Sequence, residues 1–399
     1  MTHGAKHDRY DVVIVGGAIM GSSTAWWLRE LGFDGTVLVV ERDQTYATAS
    51  TTHTNSCIRQ QFSEELNIRI SQFGAAFIAD IRARMGGDTR VPHLKVHNFG
   101  YLYLANTEPA ADVLRTNAAV QHACGTPTRL LTGPEIAQEY PFYAVDDIIL
   151  GSINTQGEGF WDGQAVFDAW RRQARERGVE YVTGEVVAMT RTRGRVESVT
   201  LASGDAINCG YVVNASGPRA ARTCAMLGLD VPVEPRKRFT WVFRAERPLD
   251  RDLPLTIDPS GVHVRENGGG TYMAGGHHKV DPAVDHDDFA MDHDLWQDHI
   301  WPVLATRIPA FESVKVISEW AGHYAFNTFD QNAIIGPHPE VSNFMLLNGF
   351  SGHGLQQSPA MGRGLAELIL HGEYRSLDLS PLGFDRVIEA RPLTERAII

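Results

Sequence analysis

The chain has 399 residues, 43% of them apolar and 21% charged, a composition that suits a globular protein with room for two cooperating domains. A formal net charge of -12 disfavours nucleic acid and anionic membranes as partners, which are met by basic faces, but allows a small anionic substrate held by one local arginine. The four cysteines lack C-x-x-C spacing and read as reduced thiols, no apolar run is long enough to span a bilayer, and MTHGAKHDRYD has no signal-peptide core, so a cytoplasmic protein is expected.

Asp11 to Val15 is an apolar run suited to a strand buried on both faces. The turn GGAIMG follows, then a predicted helix from Ser22 to Leu31 and a second buried strand from Thr36 to Glu41. Residues 47–62 are polar and irregular, and a helix is predicted over 64–84. A strand near 100–104 and a helix over 108–122 open a segment assigned to a second, substrate-facing domain. A helix over 164–177, a strand over 179–182, a meander over 185–207 turning at Arg193-Gly194, and a buried strand GYVVNA then follow. Residues 232–280 read as strand-rich, 292–308 as a helix, and 344–347 as a strand ahead of GFSGHG. Ser358-Pro359 has the form of an N-cap followed by proline at the first helical position, with the helix ending near Gly372.

The first strand, turn, helix and second strand form one βαβ unit. In a G-x-G-x-x-G turn, glycines permit a tight bend and close approach to a pyrophosphate, and the helix N-terminus supplies aligned amides to its charge. Gly16 and Gly21 match that pattern, and Ala18 replaces the middle glycine. Glu41, closing the second strand, stands where an acid bonds ribose hydroxyls. The unit therefore predicts a dinucleotide site and leaves the choice between NAD and FAD open.

Four segments carry a resemblance: VVIVGGAIMGSS with Glu41, VVNASGP, DQNAIIGPHP and NGFSGHG. Together they resemble the D-amino-acid-oxidase-like FAD-dependent oxidoreductases, on the branch of sarcosine oxidase and dimethylglycine dehydrogenase. The resemblance implies an α/β fold: a Rossmann-type FAD-binding domain, and an α+β substrate domain on a large mixed or antiparallel sheet. The expected division is 1–94, 151–228 and 324–399 for the FAD domain and 95–150 with 229–323 for the substrate domain. It implies non-covalent FAD held by Gly16, Ala18, Ile19, Met20, Gly21, Glu41, Arg42, Ser50, Thr51, Val187, Ala215, Gly217, Gly352, His353 and Gly354. His53 stands where dimethylglycine dehydrogenases carry a flavin-linked histidine, and the sarcosine-oxidase cysteine falls near His323.

The same resemblance implies oxidation of an amine carbon beside a carboxylate, with the imine then hydrolysed. Arg59 matches a carboxylate-gripping arginine, Gln356 replaces a lysine that forms the second anchor, and His277 and His353 are the candidate catalytic histidines, His277 also contacting substrate. Met273 falls where sarcosine oxidase has a lysine that assists reaction with oxygen, so oxygen or another carrier stays open as electron acceptor. The substrate class implied is an N-substituted glycine such as sarcosine or iminodiacetate, acted on by a monomer or small homo-oligomer. A second reading is a flavoprotein serving as partner in assembly of a respiratory complex. Metal chemistry has no support: there is no HExxH or paired-cysteine pattern, the DHDD run near 285 lacks a calcium loop's glycine and final glutamate, and GFSGHG departs from G-x-S-x-G at His353.

Overall fold

The computed structural model describes residues 4–396. Its first sheet runs in the order Ile334–His338, Val341–Asn348, Ala206–Asn214, Arg9–Val15, Val37–Glu41, Glu180–Thr183, and the hairpin Val186–Thr192/Arg195–Leu201 joins it at Ala206–Asn214. Arg9–Val15 pairs in parallel with strands on both sides, and Val12, Val13 and Ile14 are fully buried. This is why the segment reads as continuously apolar: neither face meets water. Arg193 and Gly194 both adopt positive φ, 52° and 74°, as a two-residue hairpin turn demands.

The second sheet runs in the order Val314–Asn327, Val233–Ala245, Thr271–Gly276, His263–Gly268, Leu255–Ile257, Tyr101–Ala105, Leu150–Asn154, Arg129–Leu131. Its pairings are antiparallel except the parallel contact of Leu255–Ile257 with Tyr101–Ala105. Alternation divides its residues between two faces. Trp241, Phe243, Tyr272 and Ala274 pack with Trp296 and Phe311 into one core. Thr240, Gly275 and His263, in register across three strands, lie on the opposite face.

Both ends of the chain meet in one helix pair. Ile19–Glu30 packs against Gly354–His371, and Ser23 Oγ donates to the Ser358 carbonyl at 2.7 Å. A Cβ at Gly362 would stand 2.1 Å from Ser23 Oγ, so only glycine lets the helices approach so closely. On its other side, Ile19–Glu30 presents Trp26 to Phe77 and Trp170, and Trp26 Nε1 donates to Gln173 Oε1 at 2.8 Å. The DQN of the DQNAIIGPHP segment is structural. Gln331 takes φ 63°, and buried Asp330 receives Nε and Nη2 of Arg386 at 2.7 and 3.0 Å.

Three predicted elements differ from the structure. The C-terminal helix starts at Gly354, which places Pro359 inside it. Proline cannot donate to the Leu355 carbonyl, and Ser358 Oγ donates there instead at 2.7 Å, so the residue predicted to cap the helix repairs its ladder. The helix predicted over 64–84 breaks at Asp80 into Glu65–Ala79 and Ile81–Arg84. The helix predicted over 292–308 contains a π segment, Trp296–Ile300, just ahead of Pro302, whose missing N–H interrupts the regular ladder.

Gly362→Val should lower stability by about 1–3 kcal/mol through overpacking against Ser23. An unchanged denaturation midpoint would contradict the helix contact. Glu158 gives a second prediction. It is fully buried, accepts from Gln60 N at 2.6 Å and Gln61 Nε2 at 2.9 Å, and burial pushes its carboxyl up to about 7. The folded protein thus holds a proton that the unfolded chain releases, and stability should fall as pH rises from about 4.5 to about 7. The loss from this group should reach roughly 3 kcal/mol. Glu158→Gln should flatten that slope whatever its absolute stability, as melting curves between pH 5 and 8 would show.

Candidate functional site

A cleft between the two sheets is lined from Glu41 and Val186 at one end to Arg59, Tyr101 and His263 at the other. Gly16, with φ 98°, opens it. A Cβ there would meet the Ala215 carbonyl oxygen at 2.4 Å, so the turn presses directly on the strand carrying VVNA. No side chain caps the Ile19–Glu30 helix at Ala18; of its first amides, Ile19 N donates to Thr51 Oγ1 at 3.2 Å. Glu41 braces this turn. One carboxylate oxygen accepts from Gly17 N at 2.8 Å and the other from Asp43 N at 2.9 Å. Burial pushes the Glu41 carboxyl up, and those two amides pull it back.

The second helix start faces the same cleft. Gly352, His353, Gly354 and Gln356 line it, and no side chain caps Gly354–His371. Gly352 takes φ 95°, and a Cβ there would overlap the Tyr324 ring at 2.4 Å. Two uncapped helix N-termini thus open on one cleft, a favourable setting for negative charge.

Arg59 is 1% exposed and lines the cleft. Its guanidinium lies over Phe62 at 4.4 Å, and Nη2 donates to His353 Nε2 at 2.7 Å. Burial pulls the Arg59 pKa down, with Tyr101, Glu395 and Glu158 acting the other way; an arginine nonetheless stays charged. Burial first, and then Arg59, hold His353 well below the usual histidine range, so its ring is neutral and Nε2 is the acceptor. Gln356 Oε1 accepts from Arg59 N at 2.8 Å and so fixes the backbone that carries the guanidinium.

Of the residues assigned from sequence, Gly16, Ala18, Ile19, Met20, Glu41, Arg42, Ser50, Thr51, Ala215, Gly217, Gly352, His353, Gly354, Arg59 and Gln356 line the cleft. Gly21 lies beneath it; a Cβ there would stand 1.9 Å from the Gly16 carbonyl oxygen. Val187 is 45% exposed, and Val186, one residue earlier, faces the cleft. His277 is half-buried outside the lining, its Nδ1 2.7 Å from the His278 carbonyl oxygen. Met273 is buried in the sheet, paired with Val242 and Arg265. His53 and His323 both line the cleft and sandwich Phe289, at ring separations of 6.1 and 4.3 Å. The residues missed from sequence are Asn55, Tyr101, Thr240, His263 and Tyr324. Only the polar stretch around Asn55 gave a local signal; the others come from strands whose alternation was not assigned to a face.

The cleft fits FAD. The Gly16 turn and the Ile19 helix start suit the pyrophosphate, Glu41 the ribose, and the Gly354 helix start a ring system that becomes anionic on reduction. Among the described residues no helix is long and apolar enough to cross a membrane.

Residues 11–368 match the family model described as FAD dependent oxidoreductase. The chain is 37% identical to FAD-dependent oxidoreductase domain-containing protein 1 of Xenopus laevis, over 98% of this chain and 85% of that protein. It is 25% identical to mitochondrial sarcosine dehydrogenase of Mus musculus, over 91% of this chain and 40% of that protein. L-proline dehydrogenase from P. horikoshii superposes with a TM-score of 0.84 at 25% identity, over 96% of this chain and 99% of that one. A dinucleotide turn, a second helix start facing it across one cleft, and a family match spanning most of the sequence agree: the chain belongs to the FAD-dependent oxidoreductase family and is a flavoprotein of the D-amino-acid-oxidase type.

Proposed function

We propose that this protein oxidises a secondary or tertiary amino acid of the N-substituted glycine class. The observation that carries this reading is Arg59, a buried guanidinium facing the flavin cleft and fixed by His353, Gln356 and Phe62. A planar cation so preorganised suits a carboxylate. When bound, FAD accepts the hydride from the carbon beside the amine. The protein's part is placement. Arg59 anchors the carboxylate, which fixes the adjacent C–H, and the uncapped start of Gly354–His371 favours negative charge nearby. Neutral His353 adds no competing positive charge and orients Arg59. Water then attacks the imine, releasing a carbonyl product and a smaller amine.

The cleft lining contains no lysine among the described residues. With Met273 buried outside the cleft lining, reoxidation by oxygen should be slower than by an artificial acceptor, the behaviour of a dehydrogenase. Stopped-flow mixing of the reduced protein with oxygen and with a quinone would measure this, and faster oxygen reoxidation would contradict it.

Anaerobic titration with a panel of N-substituted glycines should bleach the flavin spectrum. Arg59→Ala should weaken the bleaching substrate about 100-fold or more, because it removes a buried charged partner. Arg59→Lys should recover part of that loss. Unchanged affinity in Arg59→Ala would end the anchor assignment. A flavin that no amine bleaches would turn the reading toward a partner protein of a respiratory complex.

A further inference from the structure

Residues 277–292 connect the strand Thr271–Gly276 to the helical turn at His293 and form neither helix nor strand. The part from 281 to 290 carries Asp281, Asp285, Asp287 and Asp288 and no lysine or arginine. Every residue in it keeps some exposure. Its backbone meets the second sheet through an isolated bridge of Ala283 with Arg236, and Val284 N donates to the Pro235 carbonyl at 3.0 Å. Neither contact belongs to a strand ladder, so this length of chain can lift without breaking a sheet or emptying a core.

Side chains nevertheless tie the segment to both walls of the cleft. On the first-sheet side, Asp287 Oδ1 accepts from Nη2 of Arg219 at 2.6 Å and of Arg42 at 3.4 Å, and both arginines line the cleft. On the second-sheet side, Asp281 accepts from Nη1 and Nη2 of Arg238 at 2.9 and 2.8 Å, and Asp288 Oδ2 stands 2.6 Å from Lys237 Nζ. Arg238 in turn lies over Tyr324, the ring that closes on Gly352, at 4.8 Å. Phe289 is the apolar fastener. It enters the cleft lining between His53 and His323, and His323 Nε2 donates to the Asp288 carbonyl at 2.8 Å. The Asp287 side chain is 65% exposed, so each of its ion pairs is weak and yields to salt.

We propose that residues 281–290 are a latch over the FAD cleft, which holds the cofactor when fastened and lets it pass when lifted off Arg42 and Arg219. The fastenings suit that role: none is strong alone, and together they join the two sheets across the cleft. Lifting also changes the charge at the rim. Fastened, Asp287 cancels Arg42 and Arg219; lifted, it frees both guanidiniums to attract the pyrophosphate of an approaching dinucleotide. The latch concerns retention of FAD and stands whichever substrate the flavin oxidises.

The test follows the exchange of radiolabelled FAD, loaded in the holoprotein, against an excess of unlabelled FAD. Asp287→Asn should release label about threefold to tenfold faster than wild type, the effect of losing two exposed ion pairs. Phe289→Ala should release it about tenfold faster or more. Asp285→Asn is the control: it removes the same charge from the segment, but the Asp285 carboxylate accepts from Asp287 N and holds no arginine, so release should match wild type. Raising the salt from about 0.05 to about 0.5 M should speed release from the wild type and speed it less in Asp287→Asn. All of this should occur with the melting midpoint of each apoprotein unchanged. Wild-type release rates in both Asp287→Asn and Phe289→Ala overturn the latch. So does an equal acceleration in Asp285→Asn, or an acceleration that only follows a lowered apoprotein midpoint.

Discussion

The contact on which the cleft depends is the close packing of Ile19–Glu30 on Gly354–His371. Ser23 and Gly362 allow the two backbones to meet, and the Ser23 to Ser358 hydrogen bond sets their relative rise. Because both helices start at the cleft, this one contact brings two helix N-termini to one lining. Neither helix alone would reach both the pyrophosphate and the ring system of a dinucleotide. The aromatic cluster of Trp26, Phe77 and Trp170 then holds Ile19–Glu30 from behind. The site is therefore stiff at its phosphate end for reasons that lie in ordinary apolar packing.

The first sheet was legible in the sequence because its signals are local. Val12 to Val15 is buried on both faces, and no register decision is needed to see it as a strand. Gly16 and Glu41 could be paired because the βαβ unit has few geometries. Arg59 and the Gly352–Gly354 loop became visible through resemblance, since nothing local distinguishes a buried arginine in CIRQQF from a surface one. Val187 shows the limit of a resemblance read without the strand's register. In this strand Val186 is buried and Val187 exposed, so a one-residue displacement moves the assignment from the cleft to solvent.

The second sheet was harder to read. His263, Thr240 and Gly275 form one row only after three strands have paired, and their separation in sequence hides the row. His277 was the histidine that a linear alignment favoured, yet it falls where the strand has ended, beside His278. Ser358-Pro359 misled for a related reason. The dipeptide has the chemistry of a helix start, but His353 and the glycines ahead of it begin the helix a turn earlier, and Ser358 makes proline tolerable inside it.

Charge placement links these levels. The chain is acidic overall, yet the strand carrying Arg236, Lys237 and Arg238 is basic, and the 281–288 segment neutralises it through Asp281 and Asp288. Asp287 does the same for Arg42 and Arg219 at the cofactor rim. These pairs are partly exposed, so each contributes little stability and mainly cancels local potential. Arg265 lies on the same sheet, but its partners are a carbonyl, an amide and a ring, none of which carries charge. The rim cations are therefore matched by carboxylates, whereas the buried Arg265 is held by dipoles and a ring. Charge at the cleft is thus set by local pairing and by helix starts, and the chain's net charge says little about it.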